Sequence, residues 1–484
     1  MKREILELLK EVKRKVLERE KPKREDYRRA REIFNFFKQR GEEAAVKEEV
    51  KVEIMEVGSI AKDTWLRTDK DMDIFLLFPE DYDIEILREK GLKIAREMAK
   101  DLHYVEEYAE HPYIKVYYQD FTIDIVPCFK VKSPLRIKSA TDRTPFHTEY
   151  IKSKLKREMK DEVRILKKFM KGIGVYGAEI KVEGFSGYLC ELLVVKYGTF
   201  EKVLEESLKW KPWHTVIDIE GYYKGNVERA LKKFKAPLVV IDPVDPERNV
   251  AAAVSLEKML EFKTAAKLFL KKPSLKFFYP PELKPASKIE FKHYLEKTKT
   301  AIVLVEVVLL HKLPGDVIWA QVKRSLKGLK GLLKREGFNV IYSYAWTNER
   351  DKCILLYELE PRELTPYYKF KGPPVGIENE EAFLSKYLNA KDIYGPWIEN
   401  GRWYVLKKRE RRKPKEIIQD KILTVKHGIH IRTSLTKGKY KIYVNEEILE
   451  LMKREEIAKA IKKIINKKPI WLEGYDEHQD TRRQ

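Results

Sequence analysis

The sequence predicts a multidomain α+β protein: a mixed-sheet first domain, a helical central domain and an α/β C-terminal region. Three observations carry this expectation. At 484 residues the chain is too long for one hydrophobic core. Strand-like apolar runs alternate with an amphipathic helix up to about residue 150, and helical periodicity then dominates to about residue 271. A linker marked by Pro273, Pro280, Pro281 and Pro285 precedes a second alternation of strands and helices. The expected domains are 1–150, 151–272 and 273–484.

Residues 1–45 read as helical and strongly charged. Segments 50–57, 71–78 and 113–129 have strand character, and a helix over about 84–101 carries Ile84, Leu87, Gly91, Ile94 and Met98 at helical spacing. In the central domain, 161–171 aligns Val163, Leu166, Phe169 and Met170 in one stripe, with Arg164, Lys167 and Lys168 off it. Gly172, Gly174 and Gly177 interrupt that helix, and 186–197 resumes helical spacing. Beyond the linker come a nearly continuous apolar strand at 301–310 and a basic amphipathic helix at 316–336. Strands at 338–346 and 353–360, a helix at 380–388 and a strand at 402–408 follow. That βαββαβ order is ferredoxin-like (RRM-like), and it predicts such a unit near 300–410. Many RNA-binding modules share the fold, but no aromatic-rich strand motif of the RRM type accompanies it, so fold alone does not establish binding. The basic run 407–415 is, taken alone, more often solvated than in contact with phosphate.

Composition narrows the function classes. A hydrophobic content of 43% and an aromatic content of 11% belong to a folded chain. No apolar run reaches the roughly 18 residues of a bilayer span, and the charged start lacks a signal-peptide core. Cys128, Cys190 and Cys353 stand far apart, which suits a reducing cytoplasm and argues against a disulfide framework or a zinc site. Lys and Arg number 99 against 77 Asp and Glu, a net charge of +22. Heat adaptation through surface ion pairs explains abundant charge but not its imbalance. The excess of cations points to a polyanion, and in the cytoplasm nucleic acid is the expected one.

The chemistry-bearing stretch is Val57-Gly58-Ser59, eleven intervening residues, then Asp71-Met-Asp73 and an apolar run. Gly58-Ser59 after a strand lets backbone approach a phosphate, with the following helix start supplying amide donors; alone, it is an ordinary turn. Asp71 and Asp73, two apart on a strand, emerge on one face. Asp-x-Asp alone is a common surface pair. Here it has company in Asp124, within Phe-Thr-Ile-Asp-Ile-Val-Pro, where a charge is costly unless paired or bound to metal. A salt bridge to Lys or Arg is the bland alternative. Three carboxylates on neighbouring strands make an all-oxygen site for hard cations such as Mg²⁺.

These motifs together resemble the polymerase-β-like nucleotidyltransferase superfamily. The resemblance extends to archaeal (class I) CCA-adding enzymes through Thr64-Trp-Leu-Arg67, Asp142-Arg-Thr-Pro-Phe-His147, Lys171-Gly-Ile-Gly-Val-Tyr176-Gly-Ala178, Glu183-Gly-Phe-Ser-Gly-Tyr-Leu-Cys-Glu191 and Asp242-Pro-Val-Asp-Pro-Glu-Arg248-Asn249. It covers the first half of the chain; the second half agrees in length and element order only. The resemblance implies that Asp71, Asp73 and Asp124 are catalytic and hold two Mg²⁺ ions, although family members often have Glu where Asp71 stands. It implies nucleotide (ATP/CTP) contacts from Gly58, Ser59, Lys62, His147, Lys167, Tyr176 and Arg248. Lys62 replaces the usual Arg, which keeps the charge but loses the bidentate fork. Read without the resemblance, His147 is a polar turn residue, Lys167 a surface lysine, Tyr176 a loop aromatic and Arg248 a charged residue at a helix start.

The function implied is template-independent addition of C, C and A to the tRNA 3′ end from CTP and ATP, with release of pyrophosphate. The implied partners are tRNA, gripped at its acceptor and T arms, and nucleoside triphosphates; if copies associate, a homodimer is the form expected. A poly(A) polymerase-like enzyme and a non-catalytic RNA-binding protein remain as alternatives. Incorporation assays with each NTP separate them.

Overall fold

The computed structural model describes residues 3–108 and 112–473, which divide into two compact units. The first holds the chain up to Glu282 and resumes at Pro469; the second is Leu283–Lys468. The segments 1–150 and 151–272 both lie in the first unit, and 273–484 is shared between the two.

The first unit opens with two helices, α1 (Arg3–Glu20) and α2 (Arg24–Lys47), where one helical stretch was expected. Pro22 stands between them, and a proline disfavours helical backbone in the residue before it. Then follow β1 (Glu53–Val57), α3 (Gly58–Ala61), β2 (Asp71–Pro79), α4 (Ile84–Met98), β3 (His103–Tyr108), β4 (Pro112–Tyr118) and β5 (Phe121–Lys130). The five strands form one sheet in the order β1-β2-β5-β4-β3, with only β2 and β5 parallel. The expected strand 113–129 is two strands, turned at Gln119, whose φ of 55° is left-handed. Period-two alternation decides the two faces. Ile74, Leu76, Phe78, Ile123 and Ile125 point into a core closed by Phe37 of α2 and by Leu87 and Ile94 of α4. Each such burial contributes roughly 1.5–3 kcal/mol. On the opposite face, Val57, Phe75, Leu77 and Cys128 make a small apolar cluster that stops short of the first residues of β2.

The rest of this unit is mainly helical: α5 (Thr144–Lys154), α6 (Arg157–Gly172), α7 (Gly187–Tyr197), α8 (Phe200–Ser207), α9 (Val227–Phe234) and α10 (Leu256–Lys271). Between them β6 (Thr215–Ile217) and β7 (Leu238–Val240) pair in parallel. The expected stripe of α6 is fully buried, and Phe169 meets Phe200, Phe269, Phe277 and Phe278 at ring-centroid distances of 5.3–5.9 Å. Arg164 and Lys167, expected off that stripe, are buried as well. After leaving for the second unit, the chain returns to this core. Trp471 lies 5.8 Å from the Phe277 ring and donates from Nε1 to Glu261 Oε1 at 3.1 Å.

The second unit comprises α11 (Lys288–Thr298), β8 (Ala301–Val308), α12 (Gly315–Glu336), β9 (Asn339–Thr347), β10 (Lys352–Glu360), β11 (Tyr367–Pro374), α13 (Glu380–Tyr387), β12 (Ile393–Glu399), β13 (Arg402–Lys408), α14 (Pro414–Lys421), α15 (Ile429–Thr436), β14 (Tyr440–Val444) and α16 (Glu455–Asn466). Here the sequence-based expectation needs correction. The segments 301–310, 316–336, 338–346 and 353–360 form as expected, but the helix at 380–388 and the strand at 402–408 do not complete their sheet. They belong to a separate three-stranded sheet, β11-β13-β12, whose apolar face (Phe370, Trp403, Val405) packs on Phe383 and Tyr387 of α13. The four-stranded sheet has the order β14-β8-β10-β9, and its fourth strand comes from beyond residue 410. Strand β14 pairs along β8, matching Val444 with Val303 and Tyr440 with Val307.

Candidate active site

Strand pairing brings the sheet acids together. Asp73 and Asp124 are directly opposite each other in the parallel pair, so their side chains leave the same face of the sheet. Gly58, with φ of 73°, ends β1 beside them; a Cβ at this position would sit 1.8 Å from Asp73 Oδ2. The absent side chain and the left-handed backbone are therefore both required, and the Asp73 carboxylate lies against the Gly58 backbone. Ser59, next in the chain, is half-buried. Asp71, two residues before Asp73 on the same face, lies opposite Thr122 in the parallel pair.

All three acids have raised pKa values. Burial lifts Asp73 to about 7, with Asp124 and Asp71 adding like-charge repulsion against the pull of Lys62. Burial lifts Asp124 to about 6 against the attraction of Lys115, and it raises Asp71, with Asp69 contributing. Asp124 Oδ1 is buried and accepts no hydrogen bond; its cation neighbour is Lys115 Nζ at 3.8 Å, from the residue directly opposite on β4. So the salt bridge of the bland alternative is present, but too long to be a hydrogen bond. Among the described residues no three acid, histidine or cysteine side chains close into a ready coordination group. A buried, unsatisfied carboxylate oxygen beside a second acid, all oxygen donors with elevated proton affinity, nevertheless fits a hard divalent cation.

The nucleotide candidates gather around two buried acids of the helical part, neither anticipated as a site residue. Ser186 caps α7 through Leu189 N at 3.1 Å, and one turn in, Glu191 is fully buried. Its Oε2 accepts from Lys62 Nζ at 2.5 Å; its Oε1 accepts from Thr64 Oγ1 at 2.5 Å and Lys167 Nζ at 3.3 Å. Against the upward push of burial, the two ammonium groups hold Glu191 below the usual carboxylate range. Burial pushes Lys167 down, partly countered by Glu191. Gly187 at the start of α7 leaves room for its neighbours: a Cβ there would lie 2.9 Å from Tyr176 Oη and 3.6 Å from Lys167 Nζ.

The second acid, Asp242, follows β7 and is also fully buried. Oδ2 contacts His147 Nε2 at 2.9 Å and accepts from Arg248 Nη1 at 2.8 Å; Oδ1 accepts from Tyr188 Oη at 3.1 Å and Val244 N at 3.0 Å. Against burial, these partners, led by His147, lower Asp242 to about 2. The His147 and Tyr188 rings stack at 4.1 Å, and burial lowers the His147 pKa despite Asp242. Lys62 Nζ lies 5.7 Å from the Tyr188 ring, and Lys62 also acts on Asp73, so it links the sheet acids to both buried hubs.

Geometry thus joins Gly58 to Asp73, Lys62 and Lys167 to Glu191, and His147 and Arg248 to Asp242. Glu191, Asp242, Tyr188 and Thr64 are the participants that sequence reasoning missed. The signal that marked Asp124, a charge inside an apolar run, was present for two of them, in Leu-Cys-Glu191-Leu-Leu and Leu-Val-Val-Ile-Asp242.

Comparison with known proteins bears on most of the chain. The family model described as a nucleotidyltransferase domain matches residues 30–147, that of the second domain of tRNA nucleotidyltransferases matches 161–279, and that of the C-terminal domain of CCA-adding enzymes matches 300–445. Curated CCA-adding enzymes from Saccharolobus islandicus (strain Y.N.15.51 / Yellowstone #2) and Saccharolobus solfataricus are each 38% identical over 462 residues, covering 95% of this chain and 100% of those proteins. One from Methanosarcina acetivorans is 38% identical over 400 residues, covering 82% and 85% respectively. Among the described residues, no helix is long and apolar enough to cross a membrane.

Proposed function

The chain belongs to the CCA-adding enzymes, tRNA nucleotidyltransferases whose reaction is CCA addition to tRNA, and from that premise we propose how its residues divide the work. The observation that carries the proposal is half-buried Asp124, whose Oδ1 is buried and without a hydrogen bond, opposite Asp73 in register. Asp73 and Asp124, with Asp71 drawn in, hold two Mg²⁺ ions. When bound, such ions lower the pKa of an attacking 3′-hydroxyl and neutralise the triphosphate and departing pyrophosphate. Gly58 keeps the approach to Asp73 open, and the Ser59 hydroxyl holds the triphosphate beside it.

Lys62, Lys167 and Tyr176 set the field and shape around the phosphates, with Glu191 fixing both ammonium groups. His147 and Arg248 line the nucleotide side, held by Asp242. The reaction needs positioning and charge stabilisation, with no covalent enzyme intermediate. CTP and ATP are the nucleotides, and the acceptor and T arms of tRNA the RNA bound. We read the domain division as 1–150, 151–272 and 273–484. The β14-β8-β10-β9 sheet of the last is a ferredoxin-like arrangement, with the three-stranded sheet inserted before its fourth strand.

The test is incubation of the full chain with Mg²⁺, CTP, ATP and a tRNA lacking its 3′ end, followed by sequencing of the product ends. Addition of C, C and A supports the assignment of nucleotides. Runs of a single nucleotide would favour the poly(A)-type alternative.

A further inference from the structure

Arg248 is anchored unusually firmly for a partly exposed side chain. Its loop is latched by backbone bonds from Asp242 N to Arg248 O at 3.1 Å and from Arg248 N to Asp245 O at 2.9 Å. Asn249, next in the chain, accepts from Val240 N at 2.8 Å and donates to Leu238 O at 3.0 Å, tying the loop to β7. The guanidinium itself is held at Nη1 by the buried Asp242 carboxylate, while its side chain is 37% exposed. Its other nitrogens hydrogen-bond to no described residue. The result is a fixed root with open donors. Asp242 has no exposed surface, so it touches no ligand and acts only through the groups it holds.

We propose that Asp242 is a positioning residue for base selection, fixing Arg248 so that its donors meet the ring nitrogen that is an acceptor in cytosine and adenine but an N–H in uracil and guanine. The inference rests on the reading of Arg248 as a nucleotide contact. Guanidinium carries donors only, so a ring N–H placed against it leaves two donors facing each other, one of them without a partner. Donors alone do not give the selection, however. Uracil and guanine offer a carbonyl oxygen next to that N–H, and a guanidinium free to swing by an ångström or two bonds to it readily, as Arg does with the guanine carbonyl. Discrimination therefore needs restraint as well as charge, and in this chain Asp242 supplies the restraint. Its four hydrogen bonds, shared with His147, Tyr188 and the Val244 amide, leave its carboxylate one orientation.

The experiment measures kcat and KM for CTP, UTP, ATP and GTP on a tRNA lacking its 3′ end. The full chain is compared with Arg248→Ala, Asp242→Asn and the double variant. The expected result for Asp242→Asn is a preference for CTP over UTP and for ATP over GTP reduced about tenfold, mainly through KM, with tRNA affinity unchanged. Adding Asp242→Asn to Arg248→Ala should relax the base preferences no further, because in base choice one residue acts through the other; release of His147 from Asp242 should raise KM for all four nucleotides alike. If Arg248→Ala leaves the preferences intact, the nucleotide reading of Arg248 fails, and this inference with it. If Arg248→Ala relaxes them and Asp242→Asn does not, or if the two effects multiply, the nucleotide reading stands and the positioning role of Asp242 is overturned. Should Asp242→Asn fail to melt cooperatively, Asp242→Glu keeps the charge but moves it outward. A folded Asp242→Glu with full base preference overturns the proposal; one with relaxed preference supports it.

Discussion

Asp73 and Asp124 on the sheet, and Glu191 and Asp242 in the helical part, are all acids set in apolar runs, yet their proton affinities move in opposite directions. Asp73 rises to about 7 and Asp124 to about 6, while Asp242 falls to about 2 and Glu191 is also lowered. The cause is the inventory of partners. Glu191 and Asp242 are saturated by lysine, arginine, histidine and hydroxyl groups supplied by the chain itself. The sheet acids face one another; among the described residues their ion-pair neighbour is Lys115 at 3.8 Å, with Lys62 acting on Asp73 from farther off. An acid whose cations are built in organises its surroundings; an acid without them has affinity left for a cation from outside.

The largest effect that could break this contrast is on activity. Asp73→Ala or Asp124→Ala should lower incorporation by on the order of 10³-fold or more while tRNA retention on a filter is unchanged. Near-normal incorporation by either variant at saturating Mg²⁺ would remove the sheet acids from the cation centre. Stability separates the two classes next. Glu191→Gln leaves two buried ammonium groups without a counter-charge and should cost about 3–5 kcal/mol in denaturant unfolding. Asp73→Asn in metal-free protein should instead stabilise, since it removes an acid held against its charge. Two losses of equal size would mean that the classes do not differ.

The pH dependence sharpens the same point with opposite slopes. Asp73 has an ordinary value of 3.8 and a folded value of about 7, so between them the native state binds more protons than the unfolded one. Metal-free stability should fall as pH rises from about 4 to about 7 and then level off, and added Mg²⁺ should flatten that slope. Asp242, depressed from 3.8 to about 2, contributes stability that is fully present above about 4 and is lost as pH falls towards 2. Melting temperatures of wild type, Asp73→Asn and Asp242→Asn from pH 3 to 8, with and without Mg²⁺, check both slopes. The smallest effect is at Lys115. Replacing it with Met removes the cation competing for Asp124, so the Mg²⁺ concentration giving half-maximal thermal stabilisation at pH 8 should drop a few-fold. A rise would make Lys115 part of the cation site rather than its competitor.

Much of this was legible residue by residue. A charge in an apolar strand singled out Asp124 as a candidate, which the strand register sets opposite Asp73, and the period-two rule placed Asp71 and Asp73 on one face. The same reasoning passed over Glu191, because its partners Lys62 and Thr64 lie more than 120 positions away and helical spacing made Lys167 read as solvent-facing. In the second unit, local pattern named the elements up to Glu360 but could not assign later strands to sheets. Arg402–Lys408 and Tyr440–Val444 are both short runs that mix aromatic, aliphatic and lysine side chains, and only long-range pairing shows which of them completes the sheet against β8.

Trp471 has a consequence for biosynthesis. The aromatic core around Phe169 and Phe277 is one side chain short until the whole of Leu283–Lys468 has been translated, roughly tens of seconds after Phe277 emerges. During that interval the nascent chain exposes an aromatic-lined gap to the crowded surface of the ribosome. Closure of the gap, and with it completion of the first compact unit, therefore waits until the segment that resumes at Pro469 has been made.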